Sequence, residues 1–542
     1  MSSSNSSIPD PILEGLQRGW KVFGGARAAA PAELECDVVI VGSGAGAGIT
    51  AELLTRAGLR VVLVEEGPLR SSSDFKPQRE DTAYANLYQE AAGRKTADQG
   101  MNILQGRCVG GSTTINWTGS FRTPKDALET WAREFGLNEF TESQMAPWFE
   151  QVERRLNIGE WQTSPNENNA VLKRGADKLG IPAFVVQRNV KGCWNLGSCG
   201  MGCPTNAKQS MLVTTIPAAL DRGAQLLVQT RAQQLEFGKD GLVQALLCQP
   251  IELNGAPAGA PVRIRARHYV LGGGAINNPG LLLRSKAPDP HAVLGKRTFL
   301  HPTVASGALM AAPVEGWAGA PLSVFSDHFL HQGPIDWPMG FKLEVAPVHP
   351  GFAATNLGGF GPTLAERVRR FPSTQVMIAL LRDGFHAQSV GGQVQLRKDG
   401  SAVLDYPLND YLFDGVRRAF LAMAEIQFAA GAKSVRPVHE LAGDYTSLAE
   451  ARAAIAKLDL RPFVTMVGSA HVMGGCGMAA DAKRGVVRAD GQHWQIANLS
   501  VHDGSLFPTS IGANPQLSVY GLANRMTQGL IARMGGKVEA LA

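Results

Sequence analysis

The chain has 542 residues, 44% hydrophobic and 18% charged, the balance of a globular protein with about two to four domains or one large domain carrying insertions. Its 52 basic and 47 acidic residues leave a formal charge of +5, and with no long basic run this argues against a dedicated nucleic-acid binder. No run approaches the ~18 apolar residues that span a bilayer.

Residues 1–33 read as an N-terminal extension: a polar tail, a short helix and an Ala/Gly/Pro linker. The tail has no basic or apolar signal region, and seven cysteines then suggest a reducing, cytoplasmic setting without a disulfide framework. Ile12, Leu13, Leu16, Trp20 and Phe23 lie near helical spacing. They suit packing on their own domain, and the alternative is a peripheral membrane-contacting face. A β-branched run at 36–41 then ends in Gly42-Ser43-Gly44-Ala45-Gly46-Ala47-Gly48. Residues 49–54 read as a helix, and a second β-branched run at 60–64 ends in Glu65.

Strand, glycine turn, helix, strand and acid are the order of a dinucleotide-binding unit. Gly42 permits the tight turn. Gly44 lets the backbone approach a pyrophosphate, and the helix start at Ala45 and Gly46 offers N–H groups and a positive dipole end. Glu65 follows Gly42 by 23 residues, where a carboxylate should meet a ribose hydroxyl. The pattern alone does not separate NAD from FAD.

Residues 69–100 read as loops and short helices. A Gly-rich segment follows at 106–117, then helices over 124–180, with apolar periodicity around Trp131, Phe135, Trp148, Phe149 and Leu156. Cys193, Cys199 and Cys203 cluster next. A further α/β stretch runs over about 209–285 and includes a strand–turn–helix at 269–276. Short alternating strands fill about 305–465, with a helix near 411–430. The stretch 466–535 is Gly-rich again.

Four separated segments, 42–48, 106–116, 274–283 and 471–514, together resemble the glucose–methanol–choline (GMC) flavin oxidoreductases over essentially the whole chain. The resemblance implies FAD and an α/β fold: a Rossmann-like FAD-binding domain with a substrate domain on a mainly antiparallel sheet plus helices. It divides the chain into 34–125, 205–305 and 466–542 for FAD, and 126–204 and 306–465 for substrate. Gly110, Gly111 and Ser112 would let the backbone lie against the cofactor, with Asn116 supplying an amide. The family's match to Asp503-Gly504 reaches the phosphates and ribitol, and the strand around Ala232 matches the one holding the adenine. Pro515 and Gln516 flank the reactive edge. Each of these also reads as a plain structural turn.

Alcohol oxidation needs a group to take the hydroxyl proton while hydride leaves. The chain has eleven histidines, most of them necessarily bland. By the resemblance His471 is the proton acceptor and Asn514 the amide that orients the hydroxyl. His301 is expected to be structural near the cofactor, and His493 and His502 ordinary surface or strand residues. The three clustered cysteines either hold an iron–sulfur cluster, as in some bacterial glucose dehydrogenase subunits, or line a Gly-rich loop as small apolar groups. No other metal is expected.

The resulting expectation is FAD-dependent oxidation of a hydrophobic, long-chain aliphatic primary alcohol. The alternatives are a sugar, polyol, sterol or aromatic alcohol, with electrons passing through an iron–sulfur cluster. The partners expected are a small-molecule alcohol and an acceptor that is oxygen, a quinone or a protein.

Overall fold

The computed structural model describes residues 8–537 and 539–541. Two large sheets organise them. The first runs in the order Lys21–Phe23, Gln225–Leu227, Val61–Val64, Glu33–Val41, Val262–Leu271, Val243–Pro250, Thr230–Phe237, with Leu499–Val501 also paired to Val262–Leu271. Its centre is parallel, from Lys21–Phe23 through to Leu499–Val501, and its far edge is an antiparallel meander. The run 61–64 is buried at every position, as a parallel strand covered on both faces requires. Helix Ala45–Arg56 leaves the end of strand Glu33–Val41 and packs against Thr215–Asp221 and Gln516–Arg533.

The second sheet runs Met101–Ile103, Val467–Ser469, Thr303–Leu309, Thr374–Leu381, Phe341–Glu344, Val324–Ser326, Phe184–Val185. It is antiparallel except for the pairing of Met101–Ile103 with Val467–Ser469. Alternation along its strands gives it two faces. Val304, Phe341, Leu343, Met377 and Ala379 share a core with Val416, Phe420 and Met423 of helix Asp410–Ala429. That helix starts where Asn409 accepts the N–H of Leu412. Thr303, Glu344, Ile378 and Leu380 belong to the opposite set, which meets the first sheet's segments across a cavity.

The N-terminal segment is part of the first unit. Strand Lys21–Phe23 pairs with Gln225–Leu227, Ile12 is buried, and Trp20 Nε1 donates to Asp221 at 2.7 Å. Of the five apolar residues read from the sequence, only Leu13 is exposed, at 44%, so the membrane-contacting alternative loses the residues it needed. No helix among the described residues is long and apolar enough to cross a membrane.

Candidate active site

A cavity of about 1820 Å³ lies between the two sheets and gathers residues from most of the chain. At one end the glycine turn opens helix Ala45–Arg56, whose first residue follows Gly44 with no side-chain cap. Its first N–H groups therefore stay available to an anion. Gly42, Gly44, Ala45, Glu65, Gly111, Ser112, Ala232, Asp503 and Gly504 line this end.

Glu65 is held from both sides. Ser43 Oγ donates to it at 2.6 Å and the Gly67 N–H at 2.8 Å. Burial pushes its carboxyl up to about 7. The adjacent Glu66 accepts from Arg107 and Arg231 at 3.1 and 3.0 Å, and one Arg107 guanidinium nitrogen is buried with no hydrogen-bond partner. Asp503 accepts from the Gly274 N–H at 2.6 Å and Asn278 Nδ2 at 2.9 Å, which ties the turn after strand Val262–Leu271 to the C-terminal segment.

Two glycines expected at the cofactor do not line the cavity. A Cβ on Gly46 would overlap the His502 carbonyl, and one on Gly110 would overlap Thr114 Oγ1 with φ at +86°. Both glycines are required by backbone packing behind the cavity wall.

The other end carries the reaction candidates. His471 and Asn514 both line it. The Nδ1 atoms of His471 and His301 lie 3.0 Å apart, so one of the two must carry the shared hydrogen. Burial holds His471 down at about 4, helped by the charge of Lys342, and holds His301 well below the usual imidazole range. Both rings are therefore neutral at neutral pH. His301 is thus the direct partner of the expected proton acceptor, closer to the chemistry than the structural role expected for it.

Asn514 meets a pair that sequence reading missed. Its Nδ2 donates to Glu344 Oε2 at 3.1 Å, and Lys342 Nζ donates to its Oδ1 at 3.4 Å. Lys342 and Glu344 are 3.5 Å apart, with 2% and 1% side-chain exposure. In sequence, Phe341-Lys342-Leu343-Glu344 reads as a strand with one wet face. The wet face is here turned into the cavity wall, and only tertiary structure reveals that.

Asn116 and Gln516, 400 positions apart, are hydrogen-bonded at 2.6 Å. Gln516 also donates to the Gly119 carbonyl at 2.8 Å, and both residues line the cavity together with Pro515. The cysteine loop stands behind this wall: buried Lys208 donates to the carbonyls of Thr114, Asn116 and Cys199 at 2.9, 2.7 and 2.6 Å.

Cys193, Cys199 and Cys203 are free thiols and do not line the cavity. Among the described residues no group of three or more His, Cys, Asp or Glu side chains is placed to hold a metal ion. The iron–sulfur alternative has no ligand set here: the thiols contact Asn195 N, Arg188 and Lys208 N one by one. His493 and His502 are buried rather than at the surface. His502 is bonded to Ser500, Thr50 and Thr527 beneath the glycine turn.

The chain matches the family model for GMC oxidoreductases in two parts, the N-terminal model over residues 84–303 and the C-terminal model over 387–523. It is 27% identical over 530 residues to the long-chain-alcohol oxidase FAO1 of Arabidopsis thaliana, spanning 92% of this chain and 67% of that protein. It is 28% identical over 507 residues to the uncharacterized GMC-type oxidoreductase y4nJ of Sinorhizobium fredii, spanning 92% and 95%. In fold it resembles formate oxidase of Aspergillus oryzae, with a TM-score of 0.69 at 15% identity over 93% of this chain and all of that one. Pyridoxine 4-oxidase of Mesorbium loti gives 0.68 at 18% identity over 91% and 99%.

Proposed function

The chain belongs to the GMC oxidoreductase family, and we propose that it oxidises a hydrophobic, long-chain aliphatic primary alcohol to the aldehyde. It is an FAD-dependent oxidoreductase acting on CH–OH groups. The uncapped helix start at Ala45, the unpartnered Arg107 nitrogen and a cavity of about 1820 Å³ fit a dinucleotide cofactor. Gly42, Gly44, Ala45, Glu65, Gly111, Ser112, Ala232, Asp503, Gly504 and Pro515 would hold it. We assign 34–125, 205–305 and 466–542 to its binding and 126–204 and 306–465 to the substrate. FAD, when bound, supplies the hydride acceptor.

The rest of the chemistry belongs to side chains of this chain. The substrate hydroxyl gives its proton to Nε2 of His471. For that atom to accept, the hydrogen shared with His301 must sit on His471 Nδ1, so His301 sets the tautomer. A second N–H of Asn514 Nδ2, the one not given to Glu344, orients the hydroxyl oxygen. The observation that carries the substrate class is the wall beside these groups, where Trp117, Leu322, Pro347, Ile378 and Leu380 line the cavity. An apolar wall closing on a few polar groups favours a hydrophobic alcohol over a sugar. The proteins named long-chain-alcohol oxidases among the chain's relatives support the same class.

The test is the visible spectrum of the purified protein before and after anaerobic addition of a long-chain primary alcohol. Bleached flavin bands support the proposal, and admitting oxygen or a quinone afterwards identifies the acceptor. Bands that persist with the long-chain alcohol, but bleach with a sugar or sterol, sink the substrate assignment.

A further inference from the structure

The proposed chemistry leaves Lys342 without a task, although burying an ammonium is costly unless something compensates. We propose that Lys342 is a positioning residue of the alcohol site: it fixes which way the Asn514 amide faces and keeps the Glu344 carboxylate ionised at the cavity wall. The inference rests on the alcohol-oxidising reading above.

Three contacts close a triangle. Lys342 Nζ donates to Asn514 Oδ1 at 3.4 Å, Asn514 Nδ2 donates to Glu344 Oε2 at 3.1 Å, and the Lys342 and Glu344 charges are 3.5 Å apart. Flipping the amide would set its NH₂ against an ammonium and its oxygen against a carboxylate, so both neighbours oppose the flip. The amide thus keeps its second N–H for the substrate oxygen. Glu344 Oε1 is buried with no hydrogen-bond partner, and Glu344 lines the cavity.

The surroundings of Lys342 compensate its charge without water. Its Nζ lies 2.9 Å from the centre of the Phe121 ring and 4.4 Å from that of Phe325, a cation–π arrangement. Glu344 faces it from its own strand and Asp327 from the turn after Val324–Ser326, while His301 and His471 feel its charge across the cavity wall. Arg382 adds positive charge at His301. Burial lowers Lys342 to about 8, against the pull of Glu344 and Asp327. Burial also raises Glu344, and Lys342 opposes that rise. Without the ammonium nothing charged opposes that rise, so the carboxyl takes up a proton more readily and its charge no longer favours one orientation of the amide.

The experiment compares the flavin-loaded wild type with Lys342→Met, Glu344→Gln and the double variant. Lys342→Met is expected to lower kcat at least about tenfold with KM within about twofold, because it misorients groups that act in the transition state. It should also gain the infrared C=O band of a protonated carboxylic acid at neutral pH, and the band should vanish in the double variant. The wild type should lose activity as pH rises through about 8, and Lys342→Met should lack that limb. Wild-type kcat with no new band overturns the proposal. Should Lys342→Met fail to fold, the infrared difference between wild type and Glu344→Gln decides. An ionised Glu344 at neutral pH supports the proposal, and a protonated one overturns it. The infrared result does not depend on which alcohol bleaches the flavin, so failure of the substrate assignment is distinguishable from failure of this one.

Discussion

At the nucleotide end of the cavity the glycine turn and Glu65 are settled by one short stretch of chain, to which Arg107, Arg231 and Asp503 are added from afar. Glu65 is held by Ser43 and Gly67, and Gly44 opens a helix whose first N–H groups have no side-chain cap. At the reaction end, His301, Lys342, Glu344 and His471 come from distant parts of the sequence that the second sheet brings side by side, and Asn514 meets them from the segment before helix Gln516–Arg533. The first end uses backbone N–H groups and a helix dipole, which a local pattern encodes. The second uses buried, mutually charged side chains, whose state depends on what packs against them.

The sharpest way to separate the two ends is His471→Ala. It should keep the yellow flavin, because the nucleotide end is untouched, and slow flavin reduction by alcohol by roughly 10²–10⁴-fold. Anaerobic stopped-flow absorbance reads this directly, and an unchanged rate would remove His471 from its role. Gly46→Val is the converse break. Its side chain would overlap the His502 carbonyl, at a cost of about 3 kcal/mol. The variant should lose flavin on gel filtration and melt earlier. Retention of flavin at the wild-type melting temperature would mean the helix start can shift.

That contrast also describes how far the sequence could be read. The strand–turn–helix at 36–56 and the acid at Glu65 were legible because turn chemistry, β-branched runs and helix start agree locally. His471 and Asn514 were legible only by resemblance, since an isolated histidine among eleven carries no geometric signal. Lys342 and Glu344 were not legible. Their alternation with Phe341 and Leu343 is that of an ordinary half-wet strand, and sequence does not say that the polar face is buried in a cavity wall. Gly46 and Gly110 carry a second reason to be glycine that sequence does not show: each packs closely against neighbouring chain, and such a glycine looks the same in sequence as one that touches a ligand.

The buried histidines allow a comparison by pH. His268, His471, His493 and His502 are held near 3, 4, 4 and 3 by burial, well below the unfolded value of about 6.5. Between these limits the unfolded chain binds more protons, so each histidine makes stability fall as pH drops, by about 1.4 kcal/mol per pH unit at full slope. Glu65 at about 7 and Asp383 at about 6 act in the opposite sense as pH rises above about 4. The two effects oppose each other between about 4 and 6.5, with Glu65 dropping out below about 4.5 and Asp383 below about 4. Calorimetry across pH should therefore show a shallow region and then a steep acid loss. His502→Gln should remove about one proton's worth of the slope, and an unaltered slope would mean His502 already protonates in the folded protein.

The smallest expected effect tests the apolar wall. Leu380 is 3% exposed and faces the cavity from strand Thr374–Leu381, while its neighbours Ala379 and Leu381 belong to the core behind the sheet. Leu380→Trp narrows the cavity at a position outside the His471–Asn514 pair, although Leu380 pairs across the sheet with Lys342. A hydrophobic pocket discriminates by about 1–3 kcal/mol per methylene-sized change. KM for a long-chain alcohol should then rise about tenfold, while kcat and the KM of a short alcohol stay within about twofold. If long and short alcohols respond alike, the alkyl chain runs elsewhere. Another apolar part of the lining is the stretch near Tyr84 and Phe352, where Glu80 accepts the N–H groups of Gly351 and Phe352 at 2.8 Å each. Phe352→Ser would then carry the KM effect, and the apolar chain would lie along Tyr84 and Phe352 rather than against the sheet.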